Sequence, residues 1–429
     1  MKFKKLFATF VPIQSSILLV CISLIIYLPS LSFFFVGDDF ANLTFHPTDI
    51  ILVRSGHNHF FPLSWLILTF FKYFFGTNAF FYHALIVTIF IINVLLVKRI
   101  SAFFLKEEKL QFLTAVLFAS FFANYEIVFW ISTIFLNTSL LFYLAGFYFF
   151  ATFLNAPVWN KQKARLFLLF SSFSLLAILA QEYGISLVLL CLVYMWHRNV
   201  RWNVKGLLQL FSIPVGTFLL ISITKLLIVT ISLTPSAITP LRATKSFFTF
   251  FSYSLYPNPY AWELLYQMRK LYLPFIGVIL VLGVLFFIGV LKYKNKKQLA
   301  PAFLLLVGNC FMLSVTSVPQ MRYFYYLAFP SALMWSLFLK DCKYRLVLIA
   351  VTIFLIVPQF FFIQERMGEW GRASNISRHI VQGLTKENGC QKVKRDVFPP
   401  WIGDDRYKAY IIAHPHTLMV LFHHTYCQQ

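Results

Sequence analysis

Apolar runs of about twenty residues recur along the whole chain, and this repetition constrains the fold more than any other feature. A helix of that length matches the hydrocarbon thickness of a bilayer. Hydrophobic residues make up 59% of the chain and charged residues only 12%, whereas soluble domains carry about 25% charged residues. The alternating pattern that membrane β-strands need is missing from the sequence. The sequence therefore predicts an all-α polytopic membrane protein with the cell membrane's lipids around it.

The apolar runs predict about eleven transmembrane helices. They lie near residues 11–33, 80–97, 110–124, 134–154, 166–182, 185–197, 206–231, 271–291, 299–316, 323–339 and 346–363. Lys and Arg, 37 in all, fall mainly in every second loop between these runs. Because basic loops remain in the cytoplasm, we expect a cytoplasmic N-terminus and an extracytoplasmic C-terminus in the inner (plasma) membrane. Short basic loops form no contiguous basic face, so the pattern excludes nucleic acid as a partner.

The predicted spans place residues 1–363 in a transmembrane domain. Its first outer loop, 34–79, is predicted to hold interfacial helices, of which one covers the 14 residues from Pro62. The outer loop at 232–270 contains four prolines and is predicted to be irregular, as a flap over a site would be.

Residues 364–429 are predicted to form a small extracytoplasmic C-terminal domain of α/β type. Apolar residues at three- and four-residue spacing predict that it begins with an amphipathic helix. Two later segments, 407–412 and 417–422, are predicted to form a pair of strands. Cys390 and Cys427 both lie in this tail, where a disulfide can form.

Four short segments, all predicted at the outer face, carry a family resemblance. They are Gly37-Asp38-Asp39-Phe40, His57-Asn58-His59-Phe60-Phe61-Pro62-Leu63-Ser64, Asn124-Tyr125-Glu126-Ile127-Val128-Phe129-Trp130-Ile131-Ser132 and Arg322-Tyr323-Phe324-Tyr325-Tyr326-Leu327. Their order and location resemble the GT-C superfamily of membrane glycosyltransferases, especially bacterial protein O-mannosyltransferases and lipid A aminoarabinose transferases, over residues 11–363. Two positions depart from the family pattern: Met321 replaces an acid before the Arg-Tyr pair, and Gln181-Glu182 replaces Lys-Glu.

The resemblance implies an inverting enzyme that transfers a hexosyl or pentosyl group from a polyprenyl-phosphate donor. The acceptor would be an extracytoplasmic glycolipid, surface polysaccharide or protein. Asp38 is implied as the general base, a role for which a carboxylate within reach of a hydroxyl is suited. Side chains of adjacent residues diverge, so Asp39 is predicted to orient, to hold the acceptor or to bind a metal; a divalent metal is therefore left open as a cofactor. The alternative is that Asp38 only caps a short helix.

The remaining candidate residues are predicted to bind substrate. They are Arg54, His57, His59, Glu126, Glu182, Arg322 and Tyr325. Cations stabilise a phosphate leaving group as its charge grows, and an Arg fork suits bidentate phosphate binding. The alternatives are lipid headgroup contacts or helix caps for the basic cluster of the first loop, a metal-ligand pair for its two histidines, a snorkelling side chain for Arg322, and solvated span ends for the two glutamates.

Two other functions fit the composition. A flippase or transporter of lipid-linked sugars would place ionisable residues near the bilayer midplane and often has repeated halves. Here the acids cluster at one face and the sequence has no internal repeat. A surface-polysaccharide polymerase or ligase would share the lipid donor but would depend on Arg- and His-rich outer loops.

Overall fold

The computed structural model describes most of the chain, and nearly all of the described residues are helical. The described residues are 2–44, 61–156, 160–200, 203–229, 239–260, 262, 296–317, 319–340, 345–383, 401–402 and 408–411. The helices are α1 (Lys2–Tyr27), α2 (Asp39–Thr44), α3 (Pro62–Phe75), α4 (Ala79–Ser101), α5 (Glu108–Ala119), α6 (Asn124–Phe129), α7 (Ile134–Asn155), α8 (Lys161–Ala180), α9 (Ser186–His197), α10 (Val204–Val229), α11 (Pro240–Leu255), α12 (Lys296–Thr316), α13 (Tyr325–Lys340) and α14 (Arg345–Gly383). Short 3-10 turns cover Leu28–Ser32, Ile131–Thr133, Glu182–Ile185 and Met321–Phe324, and two strands, β1 (Trp401–Ile402) and β2 (Ala409–Tyr410), pair in the tail.

Seven helical stretches in the described part are long and apolar enough to cross a membrane. They are Ile13–Ser32, Ala79–Ser101, Ile131–Asn155, Lys161–Ala180, Val204–Ile223, Leu299–Thr316 and Ile349–Gln382. The prediction of an all-α polytopic membrane protein is therefore confirmed.

Four of the predicted spans have no counterpart among these seven. Those at 110–124, 185–197 and 323–339 correspond to helices of 12, 12 and 16 residues. The one at 271–291 lies outside the described residues. The total of about eleven spans thus stays a prediction.

A buried polar contact joins α4, α7 and α13 inside the bundle. Asn93 Nδ2 donates to Asn137 Oδ1 at 2.9 Å and to the Tyr325 hydroxyl at 3.0 Å, and that hydroxyl donates to Asn137 Oδ1 at 2.9 Å. All three side chains are buried among aromatic rings such as Phe90 and Phe118. In a bilayer such hydrogen bonds add about 0.6 kcal/mol each to close packing, which fixes how the helices cross.

The predicted interfacial helix forms with the expected bounds as α3. Pro62 starts it, which suits proline because the first turn needs no N–H donor there. Gly76 ends it with a positive φ of 54°. One face buries Trp65 and Leu68, while the opposite face exposes large apolar side chains, such as Tyr73 at 84%. An exposed aromatic face suits a helix that lies in the membrane interface.

The expectation of an irregular loop at 232–270 is wrong for α11, which fills Pro240–Leu255. Thr239 caps this helix, its hydroxyl accepting from the backbone N–H of Arg242 at 3.3 Å. A proline directly after an N-cap starts a helix instead of breaking one. Phe247 and Phe251, one turn apart, stack with their ring centroids 5.9 Å apart.

The tail begins as predicted with a helix that buries one face, because α14 buries Trp370 and Ala373. This helix of 39 residues runs without interruption through position 363, and the domain division there stays a prediction. β2 falls within the predicted strand 407–412, but its antiparallel partner is β1, with Trp401 opposite Tyr410. The second predicted strand, 417–422, and both tail cysteines lie outside the described residues.

Candidate active site

A tight turn after α1 sets the two adjacent acids. Gly37 adopts a φ of +54°, a left-handed conformation that favours glycine. The backbone N–H of Asp39 then donates to Val36 O at 3.0 Å, and that of Asn42 donates to Asp38 O at 3.0 Å, which starts α2. Asp38 is half-buried and directly precedes α2. This is the N-cap position, so the alternative that Asp38 only caps the helix also fits its place in the chain.

The carboxylate of Asp39 is buried and takes hydrogen bonds on both oxygens. Its Oδ1 accepts from the backbone N–H of Ser132 at 2.7 Å and from the Ser132 hydroxyl at 2.6 Å. Its Oδ2 accepts from the Val36 N–H at 3.0 Å. Burial raises the pKa of Asp39 to about 7, although these hydrogen bonds favour the charged form. The two acids therefore sit in different surroundings: Asp39 fastens the turn to residue 132, and Asp38 stays partly accessible.

Arg322 and Glu126 form an ion pair near this turn. Arg322 Nη1 lies 3.2 Å from Glu126 Oε1, and the backbone N–H of Arg322 donates to Oε2 at 3.0 Å. The guanidinium lies 5.1 Å from the centroid of the Trp130 ring. Burial raises the pKa of Glu126, and the nearby Arg322 opposes that rise. Glu126 thus gives Arg322 a carboxylate partner, whereas position 321, before the Arg-Tyr pair, holds a methionine.

The C-terminal tail contributes Tyr410 to the same place. The backbone N–H of Gly37 donates to Ile411 O at 2.9 Å, and the Tyr410 ring lies 5.2 Å from that of Trp130. Burial raises the pKa of Tyr410; Glu126 and Asp38 raise it further, while Arg322 lowers it. Tyr410 is therefore within electrostatic reach of both predicted carboxylates and of the predicted phosphate contact. Sequence analysis missed it, because the only signal was its place in a predicted strand.

Glu182 reaches the cluster through a layer of tyrosines. It begins the 3-10 turn after α8, and the next residue, Tyr183, places its ring 5.6 Å from Tyr323 and 5.9 Å from Tyr326. Burial raises the pKa of Tyr323, the adjacent Arg322 lowers it, and Glu182 raises it. The structure thus brings Asp38, Glu126, Glu182 and Arg322 to one end of the bundle.

Tyr325 is the described candidate that lies apart from this cluster. Its hydroxyl belongs to the polar contact with Asn93 and Asn137 inside the bundle. The 3-10 turn at Met321–Phe324 directs Tyr323 toward the cluster instead. Arg54, His57 and His59 lie outside the described residues, and their roles stay predictions. No group of three His, Cys, Asp or Glu side chains within the described ranges is arranged to hold a metal ion.

No protein-family model matches the sequence, and comparison with curated proteins gives no match. Two crystal structures of ArnT from Cupriavidus metallidurans are similar to the chain. The structure bound to undecaprenyl phosphate has a TM-score of 0.45 at 12% identity, over 96% of this chain and 88% of that one. The apo structure has a TM-score of 0.46 at 12% identity, over 96% of this chain and 77% of that one.

Proposed function

We propose that this protein is a membrane glycosyltransferase that moves a sugar from a polyprenyl-phosphate donor to an extracytoplasmic hydroxyl. The observation that supports it most is the arrangement around the contact between Trp130 and Tyr410. Gly37, next to Asp38, adjoins this contact on one side, and Arg322 stacks on Trp130. A candidate base and a candidate phosphate-binding cation therefore share one site.

The reaction proposed for this site is a single displacement. Asp38 takes the proton of the acceptor hydroxyl, whose oxygen attacks the anomeric carbon. The bond between that carbon and the phosphate oxygen breaks, and its electron pair remains on the phosphate. The configuration of the transferred sugar, a hexose or a pentose, inverts. Arg322 stabilises the negative charge that develops on the leaving phosphate in the transition state. Groups placed where such charge develops make the largest electrostatic contribution to catalysis.

The other predicted residues complete this proposal. Asp39 orients the turn that carries Asp38, through the hydrogen bonds to Val36 and Ser132. Glu182 contacts the sugar or the acceptor. The basic cluster of the first outer loop, Arg54, His57 and His59, adds cations near the donor phosphate. The site faces away from the cytoplasm, with the N-terminus on the cytoplasmic side of the inner membrane.

The Asp38→Asn variant tests the proposal. We expect transfer to fall by a factor of about 100 or more, because an amide cannot accept the proton. Folding and donor binding should stay close to those of the wild-type protein. The readout is mass spectrometry of surface glycans from three kinds of cell: cells that lack this protein, cells with the wild-type protein and cells with the variant.

The Glu107→Gln variant is the matched control, because Glu107 is an exposed acid far along the chain at the start of α5. We expect this variant to transfer sugar as the wild type does. If Asp38 only caps α2, Asp38→Asn will keep both its unfolding temperature and its transfer rate, because Asn caps a helix as well as Asp does. That outcome would remove Asp38 from the mechanism.

A further inference from the structure

Three N–H groups around Trp130 lie buried without an acceptor in the described part of the chain. They are the indole Nε1 groups of Trp130 and Trp370 and the guanidinium Nε of Arg322. The two tryptophans are 4% and 1% exposed. Buried donors are hydrogen-bonded in the great majority of cases, and an indole N–H can only donate. Three such groups together indicate that an acceptor belongs there.

The three donors belong to one patch, which adjoins the Asp38 turn. The rings of Trp130 and Trp370 have centroids 5.9 Å apart, and Arg322 lies over Trp130 at 5.1 Å. Trp130 Nε1 is 3.5 Å from the position that a Cβ on Gly37 would take. The patch therefore connects the candidate base to the candidate phosphate-binding arginine.

The chemistry of the patch selects the kind of group that fits it. A sugar hydroxyl both donates and accepts, whereas these groups only donate. Phosphate oxygens only accept. Arg322 is already paired with Glu126, and Asp38 lies nearby. A phosphate therefore needs further donors, and neutral indoles supply them at a site where Glu126 already pairs with Arg322.

We propose that Trp130 and Trp370, together with Arg322, form the subsite for the phosphate of the lipid-linked donor. This inference rests on the proposed function and gives Trp130 and Trp370 a role that neither the family resemblance nor the ion pair assigns to them. When the bond to the anomeric carbon breaks, its electron pair passes to a phosphate oxygen. The indole hydrogen bonds strengthen at that step, and the acceptor proton passes to Asp38.

Replacing the indole nitrogen by sulfur tests the subsite. Incorporation of 3-benzothienylalanine at position 130 or 370 keeps the outline of the ring and removes only the N–H donor. Affinity is measured in lipid nanodiscs for undecaprenyl phosphate and for undecaprenol, which lacks the phosphate. We expect each replacement to lower the affinity for undecaprenyl phosphate by about tenfold, which is the effect of losing one hydrogen bond to a charged group. The affinity for undecaprenol should not change.

The same replacement at Trp196 is the control, since Trp196 is 52% exposed near the end of α9. Neither lipid should lose affinity there. Unchanged binding of undecaprenyl phosphate after replacement at both 130 and 370 would overturn the subsite. An equal loss for both lipids would also overturn it, because the rings would then only pack.

Two further arms identify the source of the phosphate. Inorganic phosphate and phosphatidylglycerol are each added as competitors. Under this proposal, neither displaces undecaprenyl phosphate at equal concentration, and displacement by either would refute a dedicated polyprenyl-phosphate subsite. If the wild-type protein binds undecaprenyl phosphate no better than undecaprenol, the proposed function itself fails. If the preference exists and survives both replacements, only the indole subsite fails.

Discussion

Ser132 donates two hydrogen bonds to a single oxygen of Asp39, from its backbone N–H at 2.7 Å and from its hydroxyl at 2.6 Å. Asn42 in turn donates to the Ser132 hydroxyl at 2.8 Å. These bonds join the turn after α1 to the turn before α7. Since Asp38 precedes Asp39 directly, the position of the candidate base depends on a contact made by its neighbour.

Replacing Asp39 by Asn should lower stability and transfer together. The amide oxygen can still accept from Ser132, but the amide nitrogen then faces the Val36 N–H, which also donates. A buried polar group left in that state costs about 1–3 kcal/mol. Thermal unfolding in detergent and the glycan assay measure both effects. Ser132→Ala, which removes the hydroxyl and keeps the N–H, should cost about 1 kcal/mol. An Asp39→Asn protein with wild-type stability would contradict this role of the carboxylate.

The pKa of Asp39 predicts how stability depends on pH. Burial raises this pKa to about 7 from its ordinary value of 3.8, so the folded chain retains a proton that the unfolded chain loses. The proton on Asp39 contributes at most roughly 4 kcal/mol to the free energy of unfolding. This contribution is complete below pH 3.8 and is lost as the pH rises through 7. The difference in unfolding temperature between wild type and Asp39→Asn should therefore shrink from pH 5 to pH 8. Parallel curves across that range would show that Asp39 keeps an ordinary pKa.

The sequence predicts those features that are marked locally by a proline, a glycine or a rare acidic residue. Pro62 and Gly76 delimit α3, and the rarity of acids singles out Asp38 and Asp39. Contacts between distant segments have no such mark: Glu126 and Arg322 are 196 positions apart. The tail reaches the site through β2, which no local pattern connects to Gly37.

Helical phase explains why Tyr325 lies apart from the other described candidate residues. Three tyrosines lie within Arg322-Tyr323-Phe324-Tyr325-Tyr326, and their directions depend on where the 3-10 turn passes into α13. A 3-10 helix has three residues per turn and an α-helix has 3.6. The position of the boundary between them therefore decides which tyrosine faces the site.

Changes to the ion pair should separate stability from phosphate binding. Glu126→Gln leaves Arg322 charged and without its carboxylate in a buried place, which should cost about 3 kcal/mol of stability. Binding of undecaprenyl phosphate should persist, since the competing carboxylate is gone. Arg322→Lys keeps the charge but loses the fork and the stacking on Trp130, so affinity should fall by about tenfold. Equal affinity of the Lys variant and the wild type would remove Arg322 as a bidentate contact.

Gly37→Ala should displace the tail strand from the site. Alanine at a φ of +54° costs about 1–2 kcal/mol. Its Cβ would also lie 3.0 Å from Tyr410 Cβ, closer than ordinary contact. We expect faster amide hydrogen exchange at residues 409–411 and a loss of transfer of about tenfold, because Tyr410 leaves Trp130.

Gly76→Ala separates this clash from backbone strain. Gly76 has the same φ of 54°, but no atom lies within 4 Å of its Cβ position. The control should therefore lose stability through strain while keeping tail exchange and transfer near wild-type values. Because both glycines have a φ of 54°, a difference in tail exchange between their alanine variants reports the contact with Tyr410, whereas transfer also reports the position of Asp38. Equal transfer in both variants would mean that the tail covers the site without contributing to the reaction.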